Sequence, residues 1–231
     1  MTKKNIVLLS VLMITVISVE AQVRAGLKAG FNLSNVYAED IKTGDSRSFE
    51  MRPGFQAGGI LDIAIRESFS VQPGARFATQ GFIDKYEDNG SFVRKFALYY
   101  IQIPANIQYR LALGEDMGLL FQAGPYFGIG LSGKQKSTKN DVKQSLSDAN
   151  KKIEIGNDNG SDIYKSVDYG FGAGVGFEFF KFQLMAEYNF GLYEMTFKKN
   201  TPKLYNINMK NNGMSVTLAV LFGKKRTIAQ E

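Results

Sequence analysis

The 231-residue sequence has no cysteine, no histidine and no tryptophan, and only five prolines. Without cysteine there are no disulfides, no thiolate metal sites, no cysteine nucleophile and no lipoprotein-type anchor. Without histidine the commonest general base and the commonest metal ligand are both missing, and a Ser-His-carboxylate triad cannot be assembled. After residue 21 no stretch reaches the roughly 18 apolar residues of a spanning helix. Charge of one sign is in modest excess: 28 Lys and Arg against 22 Asp and Glu leave +6. The basic residues are scattered and no nucleic-acid-binding motif accompanies them, so nucleic acid is not an expected partner.

What the chain does have is alternation. From Ser166 to Leu192, Val167, Tyr169, Phe171, Ala173, Val175, Phe177 and Phe179 fall on one face, and Asp168, Gly170, Gly172, Gly174, Gly176 and Glu178 on the other. After Phe180-Lys181 the pattern resumes, with Phe182, Leu184, Ala186, Tyr188, Phe190 and Leu192 opposite Gln183, Met185, Glu187, Asn189 and Gly191. A period of two marks strands whose faces meet different surroundings. An uncharged apolar face against a glycine, amide and carboxylate face suits lipid on one side and a lumen on the other.

The same period predicts eight strands: Val23–Ser34, Pro53–Ile65, Phe69–Gly81, Phe96–Leu111, Met117–Leu131, the two just described, and Asn212–Phe222. Short turns are expected near Arg66, Gly114 and Phe180. Long polar loops are expected over Asn35–Arg52, Phe82–Lys95, Ser132–Lys165 and Tyr193–Asn211. Alternating short and long connections put every long loop at one end. The expected fold is therefore all-β: an eight-stranded antiparallel up-and-down transmembrane β-barrel with short periplasmic turns and long extracellular loops. Phe31, Tyr109, Tyr188, Phe190 and Phe222 are expected near strand ends as interfacial girdles. A soluble barrel with its apolar face inward is the competing architecture. The uniform apolar face, the glycine-rich polar face and the N-terminal segment argue against it.

That segment, residues 1–21, reads as a signal peptide: Lys3 and Lys4, then apolar Ile6 to Val19, then a cleavage site at Val19-Glu20-Ala21. An uncleaved anchor helix is the alternative. Residues 22–223 form the expected barrel domain and residues 224–231, with Lys224-Lys225-Arg226, a basic periplasmic tail.

Several segments resemble the PorT-like outer membrane β-barrel proteins of Bacteroidetes, in order and spacing: Gly26-Leu27-Lys28-Ala29-Gly30-Phe31-Asn32-Leu33-Ser34, Pro53-Gly54-Phe55-Gln56-Ala57-Gly58, Phe69-Ser70-Val71-Gln72-Pro73, Tyr100-Ile101-Gln102-Ile103-Pro104, Gly124-Pro125-Tyr126-Phe127-Gly128 and Asp168-Tyr169-Gly170. The resemblance spans the chain after residue 21. It implies a small barrel in the cell outer membrane and little chemistry. The namesake of the family acts in secretion of cell-surface proteins, which makes a secretion role the alternative.

Motifs for small ligands are weak. Gly128-Ile129-Gly130-Leu131-Ser132-Gly133-Lys134 matches part of a P-loop, but Gln135 replaces the Ser/Thr and no helix is expected to follow. Asp158-Asn159-Gly160-Ser161-Asp162 fails the EF-hand spacing and reads as a solvated loop tip. No cofactor, no metal and no enzymatic activity are expected. Arg24, Lys28, Asp62, Arg76, Arg110, Glu178 and Glu187 all fall on the polar face. An eight-stranded barrel has room inside only for side chains, and charges there must be paired. An interior network of ion pairs and amides is expected, either purely structural or lining a narrow gated path. The expected role is structural or surface-interacting, with a small pore or a secretion accessory as the alternative. Expected partners are outer-membrane lipid and lipopolysaccharide, the barrel assembly machinery and a protein bound through the long loops. The protein is expected to be a monomer.

Overall fold

Period-two patterning rich in aromatic and β-branched residues forms strands, and no helix occurs among the described residues of the computed structural model. The structure describes residues 23–40, 46–87, 91–139, 150–153, 155–156, 164–194 and 207–223. The signal-peptide segment 1–21, the tail 224–231 and the Asp158–Asp162 loop lie outside them.

Eight long strands make the wall: β1 (Val23–Asp40), β3 (Glu50–Ala64), β4 (Phe69–Glu87), β5 (Ser91–Ala112), β6 (Met117–Lys139), β10 (Val167–Phe179), β11 (Phe182–Gly191) and β12 (Ile207–Phe222). Short strands supplement it. β2 (Ser46–Ser48) pairs with β1, β7 (Asn150–Ile153) pairs with β6, and β8 (Ile155–Gly156) pairs with β9 (Tyr164–Lys165). Every wall strand is antiparallel to its neighbours, and the β1–β12 seam closes the ring.

Residue pairing gives the barrel its geometry. Following partners around the wall from Val23 leads through Ile63, Val71, Ile107, Ala123, Ala173, Tyr188 and Met214 to Leu33, ten residues further along β1. With neighbouring strands ~4.8 Å apart and ~3.3 Å per residue, that stagger tilts the strands by about 40° and gives a radius of about 8 Å.

The outer face is apolar and the inner face polar. β11 alternates exposed and buried residues along most of its length, with Leu184 and Tyr188 outside and Gln183 and Glu187 inside. Aromatics form two rings on the outer wall. Phe69, Tyr109 and Phe222 belong to the ring at the short-turn end, where the Phe69 and Tyr109 centroids are 4.9 Å apart. Phe31, Phe55, Phe77, Phe171 and Phe190 belong to the second, with Phe55–Phe77 at 5.8 Å and Phe171–Phe190 at 5.9 Å. Eleven tilted residues, Val23 to Leu33, cover about 25 Å of height, the apolar band of an outer-membrane barrel.

Two expectations need correction. Phe31 is not near a strand end, because β1 runs on to Asp40. The long-loop ranges are also largely strand where described: β4 continues to Glu87, β5 begins at Ser91, and Glu87 pairs with Ser91. The strands continue because they bury a second interior above the upper ring. Val36, Ala38, Phe49, Phe82, Leu98, Tyr100, Ile153 and Met209 pack there as an apolar cluster. Gly81 adopts φ +143° at this level and lies so close to Phe96 that any Cβ would come within 1.9 Å of its carbonyl oxygen.

Gly128–Lys134 lies wholly within β6, so no helix presents its N-terminus to a phosphate.

Candidate functional site

The lumen holds nearly every buried charge, arranged in tiers. At the short-turn end, alternation turns Arg24 on β1, Asp62 on β3, Arg110 on β5 and Glu178 on β10 inward. Arg24 donates from Nε and Nη2 to Asp62 Oδ2 at 2.9 and 2.7 Å, and from Nη2 to Glu178 Oε2 at 2.8 Å. Arg110 Nε donates to Glu178 Oε1 at 2.7 Å. Three glutamines tie the tier together. Gln183 Nε2 donates to Glu178 at 2.8 Å, and Gln72 Nε2 donates to Asp62 Oδ1 and Gln108 Oε1, both at 3.1 Å. The tier joins six wall strands and its charges balance.

The middle tier centres on Glu187 of β11. It accepts from Lys28 Nζ, from Gln122 Nε2 at 2.5 Å and from Arg76 Nη1 at 3.2 Å. Arg76 Nε also donates to Gln102 Oε1 at 3.0 Å. Two cations share one carboxylate here, so the tier carries a surplus positive charge. The upper tier carries the opposite surplus. Asp168 is fully buried and accepts from Asn211 Nδ2 at 3.0 Å and from the Tyr126 hydroxyl at 3.5 Å. No cation lies within ion-pair distance of Asp168 among the described residues.

The glycine ladder of β10 makes these tiers possible. A Cβ on Gly170 would sit 2.7 Å from the Tyr126 hydroxyl, and one on Gly174 would sit 3.0 Å from Cγ of Glu187. Side chains from β6 and β11 occupy the space the ladder leaves.

The structure thus brings Arg24, Asp62, Arg110 and Glu178 together in one tier and Lys28, Arg76 and Glu187 in the next. Sequence reasoning omitted Gln72, Gln102, Gln108, Gln122, Gln183, Tyr126, Asp168 and Asn211 from the network. All but Asn211 stand on the polar face that the alternation defines, which was the available signal; Asn211 fell in a range read as loop, whereas β12 begins at Ile207.

Among the described residues, cavities between the tiers measure about 20, 20 and 10 Å³, each space for about one water. Above them the apolar cluster crosses the lumen, with Phe82 packed against Phe49 at 4.7 Å and Phe96 at 4.5 Å. A larger apolar hollow of about 1030 Å³ lies on the outer wall among Phe31, Val175, Ala186 and Val216, where acyl chains run.

The profile of the outer membrane protein beta-barrel domain matches residues 18–196. The chain belongs to that family. The outer membrane protein beta-barrel domain places it in the outer membrane. No curated protein matches the chain. Solved structures similar to this beta-barrel domain include Ail of Yersinia pestis, at 15% identity, covering 87% of this chain and 99% of that one with a TM-score of 0.41. Neisserial surface protein A is 11% identical over 85% of this chain and 97% of its own, with a TM-score of 0.42. OprG of Pseudomonas aeruginosa is 11% identical over 88% and 98%, also at 0.42.

Proposed function

We propose that this protein is a non-enzymatic, non-conducting outer-membrane barrel, its short turns in the periplasm, that acts through the surface at its long-loop end. The carrying observation is the filled lumen: among the described residues, three polar tiers and an apolar cluster occupy it, and the cavities between the tiers measure about 20, 20 and 10 Å³. Moving an ion through would mean breaking pairs such as Arg24–Asp62 and displacing packed aromatic rings, each costing several kcal/mol. The network is therefore a structural strut. Purified protein in planar bilayers should give no channel events at any voltage; discrete openings would overturn the reading. In this reading the barrel is a monomer inserted by the barrel assembly machinery, bounded by lipid and lipopolysaccharide and free to bind a protein partner at its long-loop end.

A second reading rests on the likeness of segments such as Gly26–Ser34 and Tyr100–Pro104 to PorT-like proteins of Bacteroidetes. It makes the barrel an accessory of surface-protein secretion. Loss of surface-protein export on deletion would favour it; normal export would count against it.

A further inference from the structure

Four lysines stand together on the outer wall above the upper aromatic ring. Lys95 on β5 is paired directly with Lys136 on β6, and Lys134 on β6 directly with Lys152 on β7. All four are exposed on the outward face. The inward positions beside them hold Phe96, Gly133 and Ile153. Directly opposed like charges destabilise a strand pair, and here two such pairs share one strand. Among the described residues no carboxylate lies within ion-pair distance of any of the four. The neighbouring Lys85 shows the usual solution, an ion pair with Glu50 at 2.7 Å.

We infer that Lys95, Lys134, Lys136 and Lys152 form a binding surface for the phosphate groups of a phosphorylated glycolipid in the outer leaflet. This rests on the proposed surface role and names its partner. The direction of the side chains selects a lipid source over a soluble polyanion. On a barrel wall, outward residues project sideways, parallel to the membrane, into the layer of sugars and headgroups around the barrel. The height agrees. Lys134 lies seven residues beyond the outward-facing Phe127 of β6, about 18 Å higher along the tilted strand. Ordinary phospholipid headgroups occupy only about 5–8 Å beyond the hydrocarbon. Phosphates carried on sugars reach the level of the lysines. On adjacent strands ~4.8 Å apart, the four ammonium groups can converge on more than one phosphate.

The test uses the full-length protein in nanodiscs, with lipopolysaccharide, its dephosphorylated form and heparin as probes. Wild type should bind phosphorylated lipopolysaccharide in a salt-sensitive manner and prefer it to the dephosphorylated form. The K95Q/K134Q/K136Q/K152Q variant should bind about tenfold or more weakly. A quadruple Lys-to-Arg variant should retain binding, and heat-modifiable migration checks that each variant is folded. Equal binding by the Gln variant, or no preference for the phosphorylated lipid, overturns the inference. Binding of heparin in preference to the glycolipid overturns the lipid source. Conductance reads the lumen and is independent of these lysines, so the two proposals fail separately.

Discussion

Along β1, Leu27 and Phe31 point outward and are 68% and 79% exposed, whereas Val36 and Ala38, a few residues on, point inward and are 1% and 0% exposed. The strand does not change; its surroundings do. In the lower region lipid is the outer solvent, so apolar side chains face out and Arg24, Lys28 and Asn32 face in. In the upper region water is the outer solvent, so the apolar side chains move inside and Lys95, Lys134 and Lys136 lie outside. One continuous sheet thus solves two burial problems with opposite polarity. The lower region is held by lipid, backbone pairing and ion pairs, the upper by ordinary hydrophobic packing.

The contrast predicts different consequences for loss of a side chain. Glu178→Ala should have the largest effect, because it takes away the carboxylate of Arg110 and leaves Arg24 and Arg110 with Asp62 as the one remaining anion of the tier. A loss of about 3–5 kcal/mol is expected, read as a lower urea midpoint for the folded, heat-modifiable band in detergent. A midpoint equal to wild type would mean that the tier is not a strut. Phe82→Ala should cost about 3 kcal/mol locally. Its expected signature is protease cleavage in the upper region while the lower barrel stays folded; simultaneous loss of both regions would show that they unfold as one unit. Asp168→Asn should have the smallest effect. It removes a buried charge that has no cation partner and keeps an acceptor for Asn211, so stability should stay within about 1 kcal/mol of wild type or rise. A fall comparable to that of Glu178→Ala would show that Asp168 balances the surplus charge of Lys28 and Arg76 at a distance.

The same contrast explains what could be read from the chain. The lower strands were legible because a lipid-facing row such as Phe182, Leu184, Ala186, Tyr188 and Phe190 is uninterrupted and uncharged. The inward charges were legible as candidates because alternation allows only one direction for Arg24 or Glu187. The upper strands were not legible, because beyond Ser34 or Gly81 the polarity reverses while the period stays at two, and polar outward residues read as loop. Nor were the tiers. Arg24 and Glu178 are 154 positions apart, and they meet only because a stagger of ten residues brings those levels together across the barrel. The glutamines were expected only as unnamed amides of the interior network, because an uncharged side chain does not announce which partner it needs until its donors are traced.

The seam between β1 and β12 has a further consequence. It runs from Ala25–Phe222 to Asp40–Ile207 without a register shift, and at its foot a Cβ on Gly223 would be 2.9 Å from the carbonyl oxygen of Val23. The two ends of the barrel domain are therefore already neighbours. A short linker joining them, with new termini opened between Glu87 and Ser91, would give a circular permutant that traces the same ring, because closure belongs to the pairing and not to the order in which the strands are written.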